Sequence, residues 1–128
     1  MKTHKFNARY RQSVNAVLTE MGLKLSSTRQ QIENGTLVYS DPQTDCLYAL
    51  YESGYIRRFI PNPVGWGTSY NRDNTNYKMY QLNPTRIGTV EHEYNGRIYK
   101  NTQKIRILLN PMEQLGQIVI AIQNYRNR

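Results

Sequence analysis

The chain has 128 residues, with 17 Lys+Arg against 9 Asp+Glu, a formal charge of +8 and a pI near 9.7. That length suits one domain, residues 1–128, and 38% hydrophobic residues supply a modest core rather than a disordered tail. One cysteine (Cys46) and two histidines (His4, His92) exclude a disulfide scaffold, a Cys/His zinc finger, an iron–sulfur site and a haem-attachment motif, so no cofactor or metal is expected.

The N-terminal MKTHKFNARYRQ is basic with no apolar stretch behind it, unlike a secretory signal. Tyr10, Val14, Val17, Leu18, Met21 and Leu25 recur at steps of three and four, which predicts a helix from about Asn7 to Met21, stopped at Gly22. Arg9, Arg11, Asn15 and Glu20 lie on or near its other side. Ser27 followed by Gln30 resembles a capping box and favours a two-turn helix ended by Gly35; Asn34-Gly35 as a hairpin turn is the alternative.

From Thr36 onward the pattern reads as antiparallel strands. Residues 36–40 end at Asp41-Pro42, and 46–52 and 55–60 flank the turn Ser53-Gly54. Cys46, in an apolar run, reads as a small core residue of a reducing compartment. Residues 77–82 stop at Asn83-Pro84, and 86–94 and 97–100 flank Asn95-Gly96, the clearest hairpin turn in the chain. Ile105, Ile107 and Leu109 alternate with Lys104 and Arg106, which fits a half-buried strand. Gln117–Gln123 (QIVIAIQ) reads as a central strand after the break at Asn110-Pro111. The expected fold is therefore α+β: an N-terminal amphipathic helix packed on an antiparallel sheet of about six strands.

Catalytic constellations are scarce. In Glu91-His92-Glu93 a strand would send the two carboxylates one way and the imidazole the other, so ion pairing with Arg97 and Lys100 across a hairpin is the simpler role. Cys46 has no base beside it, Ser53-Gly54 lacks a strand–turn–helix context, and no phosphate-binding glycine loop is present.

The basic residues carry more information. Tyr94 to Arg106 holds Arg97, Lys100, Lys104 and Arg106 with Tyr94 and Tyr99 and no acid. Cations for phosphates and flat rings for stacking, interleaved on strands, are what a nucleic-acid surface requires. Arg97, Tyr99, Lys100, Lys104 and Arg106 are thus candidate contacts, joined by Arg57 and Arg58 on residues 55–60. The sixteen-residue stretch Pro61–Asn76 offers Trp66, Tyr70 and Arg72 as a contact loop, unless Trp66 tucks onto the core.

Two short resemblances accompany these motifs. Tyr48–Arg57 (YALYESGYIR) resembles the strand–Gly–strand pattern of small DNA-binding modules that accompany HNH homing endonucleases, without a nuclease's histidines and asparagine. Lys104–Leu109 and Gln117–Arg126 resemble the closing strands of RelE-type ribosome-dependent RNases, which cleave with Arg, Lys and Tyr; that likeness implies roles for Tyr125 and Arg126. The long middle region departs from the RNase plan of two helices followed by a short sheet.

The expected function is a non-enzymatic basic protein that contacts DNA or RNA. Its size and Asn/Tyr bias suit a phage or mobile-element protein in host cytoplasm or a virion. The competing classes are a viral structural component or an inhibitor of a host enzyme, working through a protein partner or self-association, and a RelE-like RNase. No membrane contact is expected, since no segment reaches the ~20 apolar residues a span requires.

Overall fold

A computed structural model describes residues 6–62 and 77–128. The elements run α1 (Ala8–Glu20), β1 (Lys24–Leu25), α2 (Arg29–Glu33), β2 (Thr36–Asp41), β3 (Cys46–Tyr51), β4 (Ile56–Pro61), β5 (Tyr77–Gln81), β6 (Thr85–Tyr94), β7 (Arg97–Arg106) and α3 (Pro111–Arg126).

Helix α1 begins where Asn7 accepts from the Tyr10 backbone N–H. It ends in a Schellman arrangement, with Gly22 N–H donating to the Thr19 carbonyl and Leu23 N–H to the Leu18 carbonyl. Of the expected apolar stripe Tyr10, Val14 and Leu18 are buried and Met21 packs at the edge of the core, whereas Val17 is exposed and Leu25 lies beyond the helix in β1. Helix α2 is shorter and starts one residue later than expected. Thr28, not Ser27, forms the capping box, with Gln31. The Ser27 hydroxyl is spent elsewhere, accepting from the Val38 backbone N–H of β2.

The α+β fold is as expected. The main sheet is antiparallel, in the order β1-β2-β3-β4-β5, and β6-β7 form a separate two-stranded ribbon. Register explains the core. Leu37 pairs with Leu50, Tyr39 with Tyr48, Asp41 with Cys46 and Leu50 with Ile56. Directly opposed residues share a face, so one face of the sheet collects these side chains. Val14 and Leu18 of α1 and Ile118 and Ile122 of α3 pack into the same cluster. Each buried Leu or Ile contributes roughly 1.5–3 kcal/mol by leaving water. Cys46 is a fully buried member of it, as expected for a small core residue.

Residues 117–123 are helix, not a central strand. Asn110 and Glu113 form a reciprocal capping box and Pro111 occupies the first turn, so the Asn-Pro break starts a helix instead of only ending a strand. Gln114, Ile118 and Ile122 are then buried at steps of four, whereas Ile120, which a central strand would bury with Ile118 and Ile122, is 52% exposed. The β-branched content of QIVIAIQ masked that helical spacing. The likeness to the closing strands of RelE-type RNases falls with it, because Gln117–Arg126 lies in α3.

The stretch Ile105–Leu109 is not a separate strand either. Strand β7 continues to Arg106, after which Ile107 N–H donates to the Pro84 carbonyl and Leu109 N–H to the Gly54 carbonyl. Gly54, at φ +105°, permits that approach: a Cβ there would lie 3.0 Å from Leu108 Cβ and 3.2 Å from Leu109 N.

Candidate nucleic-acid interface

The ribbon is built by its turn. Asn95 (φ 52°) and Gly96 (φ 74°) take the two left-handed positions that a tight hairpin demands, and ten residues pair on each side. At about 3.4 Å per residue the ribbon is roughly 34 Å long. Its side chains are exposed almost throughout, including Tyr94 at 68%, Ile87 at 66% and Ile98 at 65%.

Its root is fixed to the body by Asn83. The buried amide accepts from Ile56 N–H at 2.8 Å and donates to the carbonyls of Gly54 and Ile107, each at 2.8 Å. One side chain therefore ties β4, the β3–β4 turn and the exit of β7 together.

Register divides the candidate residues between two faces. One face carries Arg86, Gly88, Val90, His92 and Tyr94 opposite Ile105, Gln103, Asn101, Tyr99 and Arg97. The other carries Thr85, Ile87, Thr89, Glu91 and Glu93 opposite Arg106, Lys104, Thr102, Lys100 and Ile98. Arg97 and Tyr99 thus lie on an acid-free face, while Lys100, Lys104 and Arg106 share theirs with both glutamates.

Lys100 Nζ lies 3.8 Å from Glu91 Oε1, both groups well exposed, as the sequence suggests; the expected pairing with Arg97 does not form, because register puts Arg97 on the opposite face. Such a pair is worth ~1 kcal/mol or less. The carboxylates and the imidazole of Glu91-His92-Glu93 point to opposite faces, as alternation requires. Arg106 Nη1 donates to the Asn83 carbonyl at 3.4 Å. Among the described residues, no carboxylate ion-pairs with Arg86, Arg97, Lys104 or Arg106.

Arg57 and Arg58 are placed apart from the ribbon, in β4. Arg58 Nη2 donates to the Ala121 carbonyl at 2.7 Å and Nε to the Tyr48 hydroxyl at 3.2 Å. Its guanidinium also lies 4.5 Å from the Tyr125 ring centroid, so it clamps α3 onto the sheet. Burial pushes the Tyr48 phenol up, with Arg58 acting against that rise. Arg57 stacks over Tyr51 at 4.7 Å and Tyr55 at 5.7 Å on the sheet's other face, within reach of the Gln81 amide oxygen. Trp66, Tyr70 and Arg72 lie outside the described residues.

Sequence reasoning overlooked Arg86. A Cβ at Gly88 would collide with Ile105 Cδ1 and lie 3.1 Å from Arg86 Nη1, so the missing side chain makes room for both on the acid-free face. A glycine inside a strand was the available signal.

Arg126, near the end of α3, is structural. Arg126 grips Asp41 with two hydrogen bonds of 2.9 Å and donates to the Met21 carbonyl at 2.8 Å. Burial alone would raise the Asp41 carboxyl. Arg126, the Gln43 N–H and the Thr44 hydroxyl together hold it below the ordinary carboxylate value.

Among the described residues, no group of three or more His, Cys, Asp and Glu is placed to hold a metal ion, and no helix is long and apolar enough to cross a membrane. Comparison with known proteins finds no matching family model, no matching curated protein and no matching solved structure.

Proposed function

We propose that this protein binds nucleic acid, without cleaving it, through the β6–β7 ribbon. The supporting observation is the ribbon itself: two ten-residue strands, exposed along nearly their whole length, with five cations against two acids over residues 85–106. Four of the cations, Arg97, Lys100, Lys104 and Arg106, lie on β7, which has no acid. Phosphate neutralisation supplies most non-specific affinity, and such a strand supplies it along one edge. Arg57 and Arg58 drop out of the contact set because their guanidinium groups are engaged within the body.

Fluorescence anisotropy of labelled duplex DNA, single-stranded DNA and RNA tests the reading. The wild-type chain binds, and the variant carrying Arg97→Gln, Lys100→Gln, Lys104→Gln and Arg106→Gln, all at exposed positions, keeps its fold and loses most affinity. RNA incubated with the protein and translating ribosomes stays intact. No binding to any of the three ligands, or undiminished binding by the quadruple variant, contradicts the proposal. The first outcome would favour a protein partner or self-association through the exposed Ile87 and Ile98.

A further inference from the structure

The two faces of the ribbon are chemically unlike, and that asymmetry specifies a ligand class. We infer that the acid-free face enters the major groove of duplex DNA and contacts base edges there; this rests on the nucleic-acid reading above.

Size comes first. A two-stranded ribbon fits the B-form major groove, about 12 Å wide, and a length of roughly 34 Å matches about one helical turn. The major groove of A-form RNA is too deep and narrow for side chains to read.

Chemistry selects the face. Neither strand contributes an acid to the side that carries Arg86, His92, Tyr94, Arg97, Tyr99, Asn101 and Gln103. Arginine pairs in bidentate fashion with guanine O6 and N7, and Asn or Gln with adenine N6 and N7. Arg97 at the tip, Asn101 and Gln103 along β7, and Arg86 on β6 toward the root supply these groups on one face. Gly88 keeps the root half low, because Ile105 and Arg86 lie over it instead of standing clear of a third side chain. The opposite face holds Glu91 and Glu93, whose carboxylates would be repelled by the phosphates that flank the groove. It faces out. Lys100 and Lys104 stand on that outward face, where their long flexible stems at the β7 edge can carry the ammonium groups to the flanking phosphates.

Dimethyl sulfate footprinting of a bound mixed-sequence duplex reads guanine N7, an atom of the major groove. The inference expects N7 protection over about one helical turn. It also expects Arg97→Gln and Gln103→Ala each to weaken duplex binding about 10- to 100-fold while changing single-strand binding much less. Lys104→Gln, a backbone contact, should weaken all ligands alike. Duplex binding with guanine N7 left fully reactive overturns the inference, as does equal or tighter binding of single strands, yet either result leaves nucleic-acid binding standing. Absence of binding to every nucleic acid removes both. Circular dichroism of each variant separates lost contacts from lost fold.

Discussion

Asp41 and Arg126 lie 85 residues apart in sequence and form a buried bidentate pair that joins the β2–β3 turn to the end of α3 and, through the Met21 carbonyl, to the end of α1. Removing one partner of such a pair leaves the other charge without compensation, so Asp41→Asn should cost about 3 kcal/mol or more in urea unfolding at pH 7. The pH dependence has a definite sign. The folded carboxyl titrates below its ordinary value of 3.8, so its contribution is fully present above that value and is lost as pH falls through the lower folded value. Wild-type stability should therefore decline below about pH 4, and Asp41→Asn should show a shallower decline over the same window. Asn83 makes a second test: its amide serves three backbone groups, two of them in buried hydrogen bonds, and Asn83→Ala should cost roughly 2–3 kcal/mol in the same assay. In the sequence both residues read only as turn markers beside prolines. Local chemistry showed where the chain bends; it could not show partners that close only in three dimensions.

Among the elements, α1, the β3–β4 hairpin and the β6–β7 hairpin were legible because each carries its own punctuation. Gly22, Ser53-Gly54 and Asn95-Gly96 mark ends that tertiary packing has no reason to override. Helix α3 was misread because five β-branched or apolar residues in a row satisfy a strand and a buried helix equally well, and the deciding signal, Asn110 with Glu113 and Pro111, begins seven residues upstream of Gln117. The two architectures make opposite predictions at Ile120. On the helix it faces water, so Ile120→Lys should shift stability by no more than about 0.5 kcal/mol, whereas Ile118→Ala and Ile122→Ala should each cost about 2–4 kcal/mol in chemical denaturation. The tyrosines followed a similar division. Tyr10, Tyr39 and Tyr48 are core, and Tyr51, Tyr55 and Tyr125 stack with arginines of the body. Composition alone cannot distinguish such rings from the exposed Tyr94 and Tyr99.

At the scale of the whole molecule, a body closed by α1 and α3 over one sheet face carries a long basic ribbon held at its root by Asn83. The sequence located most of the ribbon's cations and its turn. What it hid was the partition between faces, since register across a hairpin decides which cations share a side with Glu91 and Glu93. A charge of +8 favours association with polyanions in general, and five of the chain's cations lie on the exposed ribbon. The most direct measurement is the dependence of duplex-DNA affinity on salt, for the wild-type chain and for Lys104→Gln. Contact through the ribbon requires a steep linear fall of log K with log salt, with the slope reduced by about one unit in the variant. Affinity that stays constant from low to physiological salt, or a slope that the variant leaves unchanged, would contradict it.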